Sequence, residues 1–367
     1  MNIRPRTIIA FLLLLGGLYF LVRFLPVYWI IVFFNILLIF INCVFLFAYL
    51  ESKEKKKKAM GKWPTVSVLI PNFNGEKTLA QCIESVKALE YPLKKEIIVI
   101  DDGSSDGGAK ILKKISGIKV IFKEKNAGKA AALNDGIRAA KGELVACIDS
   151  DTFPSSDALM KMVPCFENGV GAVTGLVRAY KPKKFVEKIQ EVEYLISFGF
   201  FQSVLADMNG IMVTPGPMSV FDRKTLKKIG GFDELNITED MEIAMRLQYH
   251  HCRIAACPEA VIYTVVPDNL GSWFRQRTRW YRGKFVNTRK YSKMVLNPKY
   301  GEFGMFSFPF SLVADALAIL LIAFTIVANL ESVAQYFTFL FSWIVVNGGG
   351  IAGALPAGFG LHSSIYF

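Results

Sequence analysis

Residues 144–151 read Leu-Val-Ala-Cys-Ile-Asp-Ser-Asp, five apolar residues running into two carboxylates separated by one serine. A short apolar run bounded by turn formers predicts a strand buried on both faces, the kind found in the middle of a parallel sheet. Asp149 and Asp151 therefore leave the C-terminal end of that strand. Residues i and i+2 of extended backbone point the same way, so both carboxylates can reach one hard dication, Mg2+ or Mn2+. Such an ion completes its shell with water and diphosphate oxygens. Asp-Ser-Asp is also ordinary turn chemistry. What favours a ligand site is the strand in front of it, because open α/β sheets bind ligands beyond the carboxyl ends of their strands.

The same pattern occurs one strand earlier, where residues 96–106 read Glu-Ile-Ile-Val-Ile-Asp-Asp-Gly-Ser-Ser-Asp. Asp101 and Asp102 stand there as acceptors for a base or ribose hydroxyl, and Asp106 reads as a cap for the next helix. Outward from these two runs, Val66 to Ile70, Lys119 to Phe122 and Gly171 to Thr174 also read as strands. Lys77 to Leu89, Gly107 to Ile115, Lys129 to Ala140 and Ser156 to Phe166 read as helices between them. This alternation predicts an α/β domain, a mostly parallel sheet with flanking helices. Lys129, at a helix start, is placed to meet a phosphate. Lys183 to Met208 predicts a longer helix whose Phe198, Phe200 and Phe201 read as core.

Two later segments add chemistry. Thr238-Glu-Asp opens a helix over Met241 to Gln248, with Thr238 as N-cap and Glu239 and Asp240 near the positive end of its dipole. A carboxylate at the mouth of an acidic cleft suits a general base toward an acceptor hydroxyl. Gln276, Arg279 and Trp280 lie at i, i+3 and i+4 on one helix face. That face offers an amide, a guanidinium able to grip a diphosphate and an indole able to stack on a sugar. It also suits an interfacial amphipathic helix, with Trp273, Phe274 and Trp280 at a bilayer boundary.

The 367 residues are 52% hydrophobic and 13% aromatic, with a formal charge of +12. Apolar runs at Thr7 to Val22 and Val27 to Leu50 read as two spans, and the lysine run Lys55 to Lys58 that follows is a positive-inside signal. Phe306 to Leu330 and Val333 to about Ile351 read as two more. The expected organisation is two membrane helices in residues 1–50, a basic cytoplasmic linker at 51–63 and a cytosolic α/β domain at 64–266. Interfacial helices at 267–304 and two further membrane helices at 305–367 complete it. This makes the chain an integral membrane protein of the cell membrane, with membrane lipids as partners.

Several classes are disfavoured. The Lys55 to Lys58 run has no interleaved aromatic, which argues against nucleic acid as a partner. Six cysteines without a C-x-x-C pair read as reduced, and three histidines are too few for a zinc site. Gly128-Lys129 lacks the rest of a P-loop, and no G-x-G-x-x-G follows a strand.

Taken in order and spacing, residues 66–283 resemble the family-2 nucleotide-sugar glycosyltransferases, in the membrane branch of hyaluronan, chitin, cellulose and poly-N-acetylglucosamine synthases. The resemblance implies a GT-A fold, a divalent metal (Mg2+ or Mn2+), a nucleotide-sugar donor and inversion at the anomeric carbon. It implies nucleotide contacts from Asp101, Asp102, Lys129 and Asp149, metal binding by Asp151 with Asp149, and catalysis by Asp240 with Glu239 and Arg279. Gln276, Arg279 and Trp280 match the diphosphate and acceptor motif. Residues 71–75 read Pro-Asn-Phe-Asn-Gly where the family usually has Pro-x-Tyr-Asn-Glu, which leaves Glu76 as the candidate at that corner. Four expected spans are fewer than the larger synthases have, so an accessory export subunit or a second copy stands as a further partner. Extension of a glycan from a UDP-sugar, a single transfer to a polyprenyl phosphate or other lipid acceptor, and a non-catalytic nucleotide-binding scaffold remain as alternatives.

Overall fold

The structure is a computed structural model that describes residues 16–17, 27–52, 61–167 and 169–346. Most of the expected first span, the lysine run Lys55 to Lys58 and the chain beyond 346 lie outside the described residues. The described residues fall into two compact units, one within residues 42–311 and the other from the described parts of residues 1–41 and 312–367.

Along the chain the elements are α1 (Val27–Ser52), β1 (Val66–Asn72), α2 (Glu76–Lys87), β2 (Glu96–Asp101), α3 (Gly108–Leu112), β3 (Lys119–Phe122), α4 (Lys129–Ala139) and β4 (Leu144–Ile148). They continue as β5 (Thr152–Pro154), α5 (Ala158–Met162), β6 (Val170–Ala179), α6 (Phe185–Tyr194), α7 (Gln202–Asp207), β7 (Met218–Asp222) and α8 (Arg223–Lys228). Last come α9 (Glu239–Tyr249), β8 (Arg253–Thr264), α10 (Leu270–Lys290) and α11 (Phe308–Val346).

The sheet has eight strands in the order β3-β2-β1-β4-β7-β6-β8-β5. β1, β2, β3 and β4 form a parallel half. β7 then pairs antiparallel with both β4 and β6, β8 runs parallel to β6, and β5 closes the edge antiparallel to β8. The sheet is mixed, with four parallel pairings and three antiparallel ones. β5, β7 and β8 escape the sequence reading because they are short or interrupted. Pro258 and Glu259 sit in a register shift of β8, opposite Gly175 and Leu176, where a proline ordinarily argues against a strand.

Every residue of β1 and β4 is buried, as their apolar runs predict. Alternation along β1 sends Val66, Val68 and Ile70 to the layer shared with Leu79, Ile83 and Val86 of α2. Leu69 goes to the opposite layer, with Ala132, Leu133 and Ile137 of α4 and Ile243 and Leu247 of α9. The parallel register pairs Asn72 with Asp101, so the C-terminal ends of β1 and β2 lie side by side.

Lys183 to Met208 is helical with a π-helical turn at Leu195–Phe201 between α6 and α7. Phe201 meets Phe45 at 5.4 Å, Phe200 meets Tyr49 at 5.2 Å and Phe198 meets Tyr194 at 5.4 Å. These rings are half-buried against other aromatic side chains rather than fully buried in the core. α11 runs 39 residues without a break where two spans are expected; after Pro309 it contains neither proline nor glycine, so nothing local ends it. Among the described residues, Phe303–Val327 is the one helical stretch long and apolar enough to cross a membrane, and Ile39–Leu50 is a shorter apolar one.

Gly136 lets α4 lie close on the sheet. A Cβ there would meet Ile100 Cδ1 at 2.9 Å and Leu69 Cδ1 at 3.0 Å, and both side chains are fully buried with no room to yield. Gly136→Val is expected to destabilise the domain by about 1–3 kcal/mol, read as a lowered denaturant midpoint at unchanged slope.

Candidate functional site

Beyond the ends of β1 and β4 the chain encloses a cleft of about 580 Å3. Its walls include Asn72, Asp102, Lys129, Asp149, Asp151, Glu239, Asp240, Gln276, Arg279 and Trp280. Residues from six separate stretches of sequence thus share one space. A smaller cavity of about 170 Å3, lined by Tyr194, Phe198, Met241 and other apolar groups, adjoins it, and Asp240 and Trp280 border both.

Lys129 is the electrostatic centre. Its Nζ lies 2.6 Å from Asp149 Oδ1 and 2.9 Å from Glu239 Oε1. Burial works against the ammonium charge, but Asp149, Glu239 and Asp240 outweigh it and hold Lys129 well above its usual range. Burial likewise opposes the charge of Glu239, yet Lys129 prevails and keeps that carboxyl below its usual range. Asp240 differs: burial and the neighbouring Glu239 push it up to about 6. Its carboxylate is oriented by the Met241 N–H, which donates to Oδ1 at 2.8 Å. Asp151 is also pushed up to about 6, by burial and then by Asp149.

The other acidic candidates serve the cleft in different ways. Asp102 lines it but is already engaged: Lys123 Nζ lies at 2.8 Å, and the N–H groups of Gly128 and Ala127 donate to it at 2.8 and 3.1 Å. It thereby holds the loop that delivers Lys129. Asp101 does not line the cleft. Its Oδ1 accepts from Asn72 Nδ2 at 2.8 Å and Ser104 Oγ at 2.7 Å, so it shapes the turn.

Glu76 also faces away from the cleft. It accepts from the Gly107 N–H at 3.0 Å while its own N–H donates to Asp106 at 2.9 Å, so the starts of α2 and α3 cap each other. The expectation that Glu76 reaches the nucleotide corner fails for this reason. At Gly75 a Cβ would stand 2.4 Å from Asn72 Oδ1, so Asn72 fills the space a side chain at 75 would need.

On α10, Gln276 and Arg279 line the cleft, and Arg279 Nη1 donates to Ile237 O at 3.3 Å. Arg277, to which the sequence reading assigns no role, lies 4.1 Å from the centre of the Trp280 ring and pairs with Glu193. It holds the indole from behind. The only local signal for this was a cation among aromatics at helical spacing.

Residues 67–230 match the model described as glycosyl transferase family 2. Over this stretch the chain is similar to glycosyl transferase family 2. The poly-β-1,6-N-acetyl-D-glucosamine synthase of Staphylococcus epidermidis is 36% identical over 223 residues, covering 59% of this chain and 54% of the relative. The Staphylococcus aureus (strain COL) synthase is 33% identical over 223 residues, with the same coverage. The chain spans about half the length of these curated relatives. Among solved structures, the mannosyltransferase PcManGT from Pyrobaculum calidifontis, in complex with GDP-Man and Mn2+, is 21% identical with a TM-score of 0.58. That match covers 84% of this chain and 94% of the other. The fold is GT-A.

Arg277→Ala is expected to lower stability by about 1–2 kcal/mol through loss of the cation–π contact. Glu193, 40% exposed, regains water and limits the cost. A reduced thermal unfolding midpoint checks this.

Proposed function

We propose that the chain transfers a sugar from a nucleoside-diphosphate sugar to a growing glycan by a single inverting displacement at a membrane surface. UDP-N-acetylglucosamine is the first donor to consider, in view of the N-acetylglucosamine polymers that the staphylococcal relatives are named for. The observation that carries the reading is the single cleft shared by Lys129, Asp149, Asp151, Asp240, Arg279 and Trp280.

In this reading the donor lies along the strand ends. Asn72 Oδ1 is buried, borders the cleft and has no hydrogen-bond partner among the described residues, so it suits an N–H of the base. Asp149 and Asp151 form a hard oxygen pair, and burial first and Asp149 second raise the Asp151 carboxyl. That donor set fits Mg2+ or Mn2+, with diphosphate and water filling the remaining positions. When bound, the ion would supply charge stabilisation to the leaving diphosphate. Arg279 contributes the same from the opposite wall, through paired hydrogen bonds.

The acceptor approaches from the side of the smaller apolar cavity, where Trp280 offers a stacking face. Asp240 borders both spaces and takes the proton from the attacking hydroxyl. The Asp240 value of about 6 leaves the base ionised at neutral pH. Glu239, tied to Lys129, sets the charge around the base rather than receiving the proton.

A membrane setting is supported by the apolar stretch Phe303–Val327 and by the outer face of α10, where Leu270, Phe274, Tyr281 and Phe285 are exposed beside Arg275 and Arg282. This amphipathic surface suits an interfacial helix at the cytosolic leaflet.

Full-length protein in membranes, given labelled UDP- and GDP-sugars with Mg2+ or Mn2+, is expected to make a product longer than one sugar from a UDP-sugar. Lipid-linked single-sugar products would refute glycan extension, and no transfer from any donor would refute the whole reading. Asp240→Asn is expected to cut kcat roughly 10²- to 10⁴-fold while UDP still binds in calorimetry. The rate kcat/KM should fall below pH about 6 as Asp240 protonates. Lys129→Met removes a cation that favours the ionised base, so the acid limb of its profile should move to higher pH.

A further inference from the structure

Thr238 immediately precedes α9, yet its hydroxyl makes no cap hydrogen bond to that helix. Thr238 Oγ1 instead donates to Asn236 Oδ1 at 3.3 Å and accepts from Asn287 Nδ2 at 3.1 Å. Asn236 Nδ2 donates to Asn287 Oδ1 at 2.7 Å, which closes a ring of three side chains. Asn287 is fully buried and Thr238 nearly so. Both ends of the Asn287 amide are bonded, so removing it leaves buried groups unpaired, at a cost that the neighbours relieve by moving.

One turn earlier on α10, a Cβ at Gly283 would stand 2.0 Å from Thr238 Oγ1. Glycine therefore sets how closely α10 approaches the loop before Asp240. Gln276, Trp280, Gly283 and Asn287 follow one another at steps of four, three and four, which places them on a single stripe of α10. The upper part of this stripe borders the cleft, and the lower part holds the loop that presents the base.

We propose that Asn287 is a positioning residue for the transfer reaction: through the Thr238 hydroxyl it fixes α10, with Arg279 and Trp280, against the Asp240 carboxylate. The inference rests on the role of Asp240 as base given above. Asp240 follows Thr238 by two residues and is anchored by its own carbonyl, which accepts from Thr214 N and Oγ1 at 3.1 and 2.9 Å. A shift of Thr238 thus tilts the carboxylate about a fixed point instead of releasing it. A second link between α9 and α10 lies away from the base, where Glu242 accepts from Tyr291 OH at 2.6 Å and Lys290 Nζ at 2.7 Å. It serves as the structural comparison.

The experiment measures sugar transfer from UDP-N-acetylglucosamine with Mn2+ by the full chain in membranes, with UDP affinity determined separately. Asn287→Leu and Thr238→Val are each expected to lower kcat roughly tenfold to a hundredfold at unchanged UDP affinity. The double variant should be no slower than the slower single one, because both remove the same link. Thr238→Ser, which keeps the hydroxyl, should retain activity. Tyr291→Phe should lower the melting temperature and leave kcat in place. Unchanged kcat in Asn287→Leu, additive losses in the double variant, a parallel loss of UDP affinity, or an equal loss in Tyr291→Phe would each overturn the proposal. Wild-type protein that transfers from none of the donors overturns the proposed function, and this inference with it; turnover that ignores Asn287 overturns this inference alone.

Discussion

The ammonium of Lys129 is the point on which the cleft depends. Four carboxylates, from Asp149, Asp151, Glu239 and Asp240, converge on one partly buried space. Without a cation among them their repulsion and desolvation would oppose folding of the loops that carry them. Lys129 binds one carboxylate from each half, Asp149 from the strand-end loop after β4 and Glu239 from the start of α9. It joins the two halves and divides their roles. Glu239 is neutralised and held low, whereas Asp240 is left with its charge poorly compensated and rises toward neutrality.

The placement of that lysine is itself built by the fold. Asp102 gathers the N–H groups of Ala127 and Gly128 and pairs with Lys123, so the loop enters α4 in one conformation. Gly128, with φ of 93°, adopts backbone that few other residues tolerate. Gly216 then leaves room opposite, since a Cβ there would stand 2.7 Å from Lys129 Nζ and 2.9 Å from Asp149 Oδ2. These groups are structural in their bonding, and their effect is felt in the chemistry of residues they do not resemble.

Much of this was legible in sequence. The buried parallel strands announce themselves as apolar runs, and the acids that follow them mark the edge where the cleft forms. Asp149, Asp151, Asp240, Gln276, Arg279 and Trp280 all line it. The illegible parts have a common cause. Asp101 and Glu76 carry the same carboxylate as their neighbours, but local hydrogen bonds to Ser104 and Gly107 turn them into the backbone. Arg277 and Asn287 look like ordinary helix residues, because their importance lies in partners far away in the chain. β7 and β8 are short or interrupted, and only pairing with β4 and β6 makes them strands.

Local patterns in the chain were enough to establish an α/β domain, the end of the sheet where the cleft forms and the residue types that line it. Period, strand ends and helix faces depend on near neighbours, which the order of residues records. Which carboxylate is neutralised and which is raised toward neutrality depended on bringing Lys129 between Asp149 and Glu239. Such electrostatics vary with distance and burial, and those exist only once the sheet has closed and α10 has packed on Thr238.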